Sequence, residues 1–342
     1  MSATDLEVAI LLAIGLGLTL YILFGGADFG GGVWDLFARG PAHDRERALI
    51  ADAIGPVWEA NHVWLIFVVT ALFAAFPPAF AALGIALYLP FSIAVAGIVF
   101  RGAAFAFRSH GEGAGWQRRW TRVFGVASLV TPVVLGMAGA ALASGRIRVS
   151  PDGSVEAGLW SAWTGPLSIV AGALALAMCA YLAAVYLTVE ADARGDAELA
   201  RLFRRRAVGA AIVAGALAAA GLVAVALDAP DLWAGMRERG WPLVLLSAAG
   251  GLASLLLILQ RRDRAARVAA AVAVGSVVAG WGVAQWPYLI APDLTAGDAA
   301  APVSALRPVA VGLAIGGALL LPSLLLLFRV FKAARTGSKP LG

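Results

Sequence analysis

The sequence predicts an all-α polytopic membrane protein with about nine transmembrane helices, and three observations carry that prediction. Apolar residues make up 61% of the 342 and charged residues only 14%, against about 45 to 50% and 25% in an ordinary soluble domain. Windows of about 20 mainly apolar residues, the length that crosses a bilayer, fill most of the chain with only short polar gaps. The basic residues, finally, fall in alternate gaps.

Reading apolar runs between charged or Pro/Gly punctuation places helices at about 6–37, 52–76, 79–107, 121–143, 159–189, 204–227, 241–260, 266–289 and 303–329. The first run follows Asp5 and Glu7 and lacks a basic leader, so it reads as a retained helix and not a cleaved signal. It is also long: 32 residues at about 1.5 Å each give roughly 48 Å, which predicts tilt or projection beyond the bilayer. Its Gly25, Gly26, Gly30, Gly31 and Gly32 mark either a hinge or, as is commoner in membranes, close helix packing.

The second run is the weakest by hydropathy because Glu59, Asn61 and His62 interrupt it, yet the charges require it. With nine spans, the gaps after helices 1, 3, 5 and 7 and the C-terminal tail hold twenty of the 26 basic residues, among them Arg39, Arg118, Arg122, Arg204 and Arg264. The other side holds five, Arg146, Arg148, Arg237, Arg239 and Arg307, and Arg101 lies inside a span. Removing the second helix destroys this alternation. The positive-inside rule then places the N-terminus outside and the C-terminus in the cytoplasm. The whole of 1–342 reads as one transmembrane domain, with helices 1–4 (about 6–143) and 5–8 (about 159–289) as two four-helix bundles and helix 9 (about 303–329) peripheral.

This composition excludes several function classes. Cys179 is the only cysteine and sits in an apolar run, which rules out an intrachain disulfide, covalent haem attachment and a thiolate metal cluster. The net charge of +5 reads as a topology signal and not as a nucleic-acid footprint. No Walker A sequence, dinucleotide fingerprint, HExxH or Ser-His-Asp pattern is present. Most tryptophans, Trp58, Trp64, Trp160 and Trp286 among them, fall near helix ends and read as interfacial anchors.

Ionisable residues inside spans are costly and therefore functional candidates. Four stand out: Asp28, Glu59, His62 and Arg101. Counting rise per residue from the nearest loop charges places Glu59 and Arg101 about 10 Å deep, and His62 and Asp28 about 15 to 16 Å deep. Glu59 and His62, three apart, share a helix face. The reading is a Glu59–Arg101 ion pair with Asp28 and His62 forming the next layer, a string of protonatable groups opening toward the cytoplasm. Against it stand plainer roles: Arg101 snorkelling or locking two helices, Glu59 as a purely structural partner, Asp28 bonding the glycine-rich backbone, and His62 as an interior hydrogen-bonding residue rather than a haem ligand.

The residues themselves resemble a family. Gly26-Ala27-Asp28-Phe29-Gly30-Gly31-Gly32, Gly55-Pro56-Val57-Trp58-Glu59-Ala60-Asn61-His62-Val63-Trp64-Leu65 and Phe100-Arg101-Gly102 resemble subunit II of the cytochrome bd-type ubiquinol oxidases. Trp286-Pro287 through Pro292, Leu294-Thr295 and Asp298-Ala299-Ala300 resemble that family's segment before its last helix. The resemblance implies a heterodimer in a bacterial cytoplasmic membrane with a subunit I that holds b- and d-type haems and the quinol site, with small accessory subunits and a structural quinone or lipid as further partners. It implies that subunit II binds no haem or metal itself and contributes acidic residues to proton delivery from the cytoplasm, with Asp28 and Glu59 at the family's acidic positions and Arg101 at its intramembrane arginine; His62, which departs from the pattern, joins the proton path on the depth argument alone. The family's usual Asp-Gly-Asn-Gln reads here Glu59-Ala60-Asn61-His62, and a usual acidic residue is replaced at Ala106; both suggest a divergent branch. Two other classes stay open: a secondary transporter with an intramembrane Asp28/Glu59/Arg101 site, and a purely structural assembly subunit.

Overall fold

The computed structural model describes residues 2–54, 58–110 and 113–336, and within these the side chains of all but 58–60, 109, 110, 114, 321, 324, 325 and 327–336. It is helical almost throughout. Among the described residues eight helices are long and apolar enough to cross a membrane, and a ninth span results if one sharply bent helix pair is counted.

Helix α1 (Ala3–Phe37) opens on a reciprocal cap in which Ser2 and Asp5 satisfy each other's backbone amides. Its glycines settle the choice between hinge and packing. A Cβ on Gly30 would lie 1.9 Å from the Cys179 carbonyl oxygen, and one on Gly32 would lie 2.1 Å from Ser128 Oγ. Backbone therefore meets backbone where α1 crosses α7 (Pro166–Ala193), and α6 (Ala114–Ala141) approaches from the other side.

The expected second helix at 52–76 is corrected to two, α2 (His43–Ile54) and α3 (Trp58–Ala75), separated by residues 55–57. The expected third at 79–107 is likewise divided into α4 (Pro77–Ala86) and α5 (Tyr88–His110). The bend between α3 and α4 is made at Phe76, which precedes Pro77-Pro78. Proline disfavours the helical conformation of the residue before it, and Phe76 takes φ −134°, ψ 60°, so that α4 turns 118° from α3. α3 and α4 together make the bent pair, and α5 is the next full span.

The remaining helices are α8 (Ala197–Asp228), α9 (Pro230–Gly235), α10 (Trp241–Leu259), α11 (Asp263–Gln285), α12 (Ala296–Ala299) and α13 (Val303–Thr336), with α9 running into α10 through a π-helical turn at Met236–Gly240. α7 starts later than the expected 159 because Pro166 takes the first helical position behind Gly165. α11 stops short of the expected 289. Two small antiparallel hairpins fill one end of the bundle, β1 (Arg148–Val149) with β2 (Val155–Glu156) and β3 (Tyr288–Ile290) with β4 (Leu294–Thr295).

The ion pairs join gaps that the charge alternation assigned to one side. At the arginine-rich end Arg194 bonds Asp52 at 2.9 Å, Arg204 bonds Asp263 at 2.5 Å, Arg206 pairs with the buried Glu46, and Arg45 pairs with Glu198. At the opposite end Arg146 bonds Asp228 at 2.5 Å and Arg148 bonds Asp293 at 2.6 Å.

Candidate functional site

The site is built where α1, α5 and α6 meet. Asp28 is 4% exposed and Arg101 2%. Arg101 donates from Nη1 to Asp28 Oδ2 at 2.9 Å, from Nη2 to Asp28 Oδ1 at 2.5 Å and to the Asp28 carbonyl at 3.1 Å, and from Nε to Ser128 Oγ at 3.0 Å. This is a two-pronged guanidinium–carboxylate bond, the strong and directional form of the interaction. The phenyl rings of Phe29 and Phe124 lie 4.8 and 4.9 Å from the guanidinium carbon and add cation–π attraction in a place water does not reach.

Sequence depth pairs Arg101 with Glu59; among the described side chains its carboxylate partner is Asp28. The side chains of Glu59 and Trp58 lie outside the described residues.

The other motif residues dock α3 onto α1. Asn61 is 4% exposed and donates to the Phe24 carbonyl at 3.4 Å. Trp64 packs into a buried cluster with Tyr21, Phe29 and Cys179. His62 is half-buried on the adjoining side of α3, where Val63, Ile66 and Phe73 are exposed by 39, 63 and 59%. The position of Glu59 lies three residues before His62 and seven before Ile66, and such spacings share one helix face.

One charged group escaped the sequence reading. Asp35 is fully buried two turns below Asp28 and accepts from Arg108 Nη1 at 2.6 Å, with Arg47 Nε 3.6 Å from its other oxygen. The signal was available: Asp28 and Asp35 are seven apart on α1, Arg101 and Arg108 seven apart on α5, and seven residues are about 10.5 Å of helix. The result is a ladder of two carboxylate–guanidinium rungs between facing helices, and Phe124 contacts both guanidiniums, at 4.9 and 5.6 Å. It runs from the interior to the arginine-rich end. Among the described residues no group of three or more His, Cys, Asp or Glu is placed to hold a metal ion.

Eight helices long and apolar enough to cross a membrane among the described residues, nine with the bent pair, and a charged ladder buried among three of them define a polytopic membrane protein. The family model for cytochrome bd terminal oxidase subunit II matches residues 6–331. Among curated relatives, subunit 2 of the cytochrome bd ubiquinol oxidase of Bacillus subtilis is 30% identical over 239 residues, 70% of this chain and 68% of that one. Subunit 2 of the cytochrome bd-I ubiquinol oxidase of Escherichia coli K12 is 30% identical over 183 residues, 52% of this chain and 46% of that one. The solved bd oxidase of Geobacillus thermodenitrificans contains a chain that superposes with a TM-score of 0.76 at 25% identity, covering 96% of this chain and 98% of its own. The chain belongs to the cytochrome bd terminal oxidase subunit II family.

Proposed function

We propose that this chain is the haem-free subunit II of a bd-type quinol:oxygen oxidoreductase in the bacterial cytoplasmic membrane, that it braces a haem-bearing subunit I, and that it supplies that subunit with protons from the cytoplasm. The observation that carries the reading is the buried ladder of Asp28–Arg101 and Asp35–Arg108, which puts ionisable groups deep in the spans and connects them to the arginine-rich end. By the positive-inside rule that end is cytoplasmic, with the N-terminus outside and the C-terminus inside.

Roles divide by chemistry. Two guanidinium hydrogen bonds fix the Asp28 carboxylate in place, so Asp28 acts in the path as a positioned acceptor beside Arg101. Glu59 and His62 then carry the exchangeable protons, and their face of α3 supports delivery to a partner because its apolar neighbours are exposed in this chain. The b- and d-type haems and the quinol site belong to subunit I in this reading, with quinol oxidised on the outer side. Proton uptake from inside and electron delivery from outside separate charge without a pump. Small accessory subunits, and a quinone or lipid in a structural role, fit the same assembly. In the same reading the chain divides into two four-helix bundles, helices 1–4 at about 6–143 and 5–8 at about 159–289, with helix 9 peripheral.

The test is co-purification. The tagged chain, extracted in mild detergent, is expected to bring a larger second protein and haem absorption bands. A colourless chain that is stable alone and moves a solute into vesicles would replace this reading with transport through the Asp28–Arg101 region.

A further inference from the structure

At the arginine-rich end a groove of about 480 Å³ opens between the end of α1, the start of α2 and the start of α6. Arg39, Arg47, Arg118 and Arg122 line it, above an apolar floor that includes Leu36 and Phe37. Arg47 leans toward Asp35 at 3.6 Å, but that carboxylate is already bonded by Arg108. Arg39, Arg118 and Arg122 have no carboxylate partner among the described residues. Elsewhere at this end, arginines 45, 194, 204 and 206 are each tied to an acid. Among the described residues the groove therefore concentrates positive charge in one concavity, which favours an anion with several acceptor oxygens.

The depth of the groove says which anion. Phe107, Trp116 and Trp120 stack on one another at the turn from α5 into α6, with centroids 4.9 to 6.4 Å apart, and Trp116 is 41% exposed. Exposed tryptophan at a helix end marks the headgroup level of a bilayer, and Arg118 and Arg122 follow within two turns. Phe37, 47% exposed, offers apolar surface beside the same arginines. Phosphate above and hydrocarbon below is the chemistry of a phospholipid. We propose that this groove is a binding site for the phosphate headgroup of an anionic phospholipid of the cytoplasmic leaflet, gripped by Arg39, Arg118 and Arg122 with an acyl chain running past Phe37.

The assembled complex of subunits I and II, reconstituted in neutral-lipid nanodiscs, is titrated with spin-labelled phosphatidylglycerol, and the immobilised fraction is read by electron paramagnetic resonance. Each arginine near a membrane surface contributes about fivefold in affinity. Arg118→Gln with Arg122→Gln is therefore expected to weaken binding roughly 25-fold, while Arg205→Gln, at the same end but outside the groove, leaves it unchanged. Spin-labelled phosphatidylcholine is expected to show no immobilised fraction that depends on these arginines, and inorganic phosphate at millimolar concentration to displace little of the anionic lipid. Equal binding by the double variant overturns the site, as does absence of any immobilised lipid, which would mean that a partner chain covers the groove. Full displacement by inorganic phosphate overturns the lipid as its occupant. Haem spectra of each variant verify assembly independently of the lipid signal.

Discussion

The charged pair between α1 and α5 and the charged pair at the opposite end of the molecule have nearly the same geometry and very different consequences. Arg101 and Asp28 meet at 2.5 Å with side chains 3% exposed, whereas Arg148 and Asp293 meet at 2.6 Å with side chains 57 and 17% exposed. Distance alone does not rank them; solvent does. The inner pair cannot exchange its partner for water, and the outer pair can at little cost. The inner pair is therefore a fixture of the spans, and the outer one a tether between a hairpin and the loop that follows α11.

Breaking the inner pair from one side gives the largest effect. Arg101→Met leaves Asp28 buried without a counter-charge, a change that costs about 3 to 5 kcal/mol, read as a lowered unfolding temperature of the detergent-solubilised complex. The double variant Arg101→Met with Asp28→Leu is expected to recover most of that loss, because both charges are then gone. A double variant as unstable as the single one would show that the helices need the hydrogen bonds and not merely charge balance.

A smaller effect is expected one turn away. Gly30→Ala puts a methyl group where the Cys179 carbonyl oxygen stands, 1.9 Å off, and forcing α1 and α7 apart costs about 1 to 3 kcal/mol by overpacking. If stability is unchanged, the two helices are free to separate and the ladder is not held by α7.

The outer pair should respond least, and only to acid. Hydrogen bonding from Arg148 holds the Asp293 carboxyl below the usual carboxylate range. A group whose folded pKa is depressed adds stability above its unfolded value and loses it as pH falls through the folded one. Hydrogen exchange of the β1–β2 and β3–β4 hairpins, taken relative to the intrinsic rate at each pH, is therefore expected to stay constant through neutral pH and to quicken only in acid, and Asp293→Asn should abolish that acid response. Acid quickening that survives the substitution would assign it to another carboxylate.

Much of this contrast was legible in the sequence, and the part that was not has identifiable causes. Apolar runs gave the spans, and the alternation of arginines gave the two ends, because both depend on transfer of side chains from water to lipid and need no partner. Asp28 and Arg101 stood out for the same reason. Their pairing did not, since it depends on how α1 and α5 lie together, and the α1 glycines act through the α7 backbone at Cys179 and the α6 side chains of Ser128 and Phe124. Asp35 did not stand out, although its seven-residue spacing from Asp28, matched by Arg108 and Arg101, was visible. The bend at Phe76 was also foreseeable from Pro77-Pro78, but hydropathy does not register it.

The central claim is that ionisable residues of this subunit carry protons to a reaction that takes place in another chain. Oxygen consumption by the assembled complex carrying Glu59→Gln, measured beside its haem absorption, tests it most directly, because glutamine keeps the shape and removes the exchangeable proton. The account predicts slowed turnover with haem content near normal. Full turnover in a fully assembled complex would contradict it.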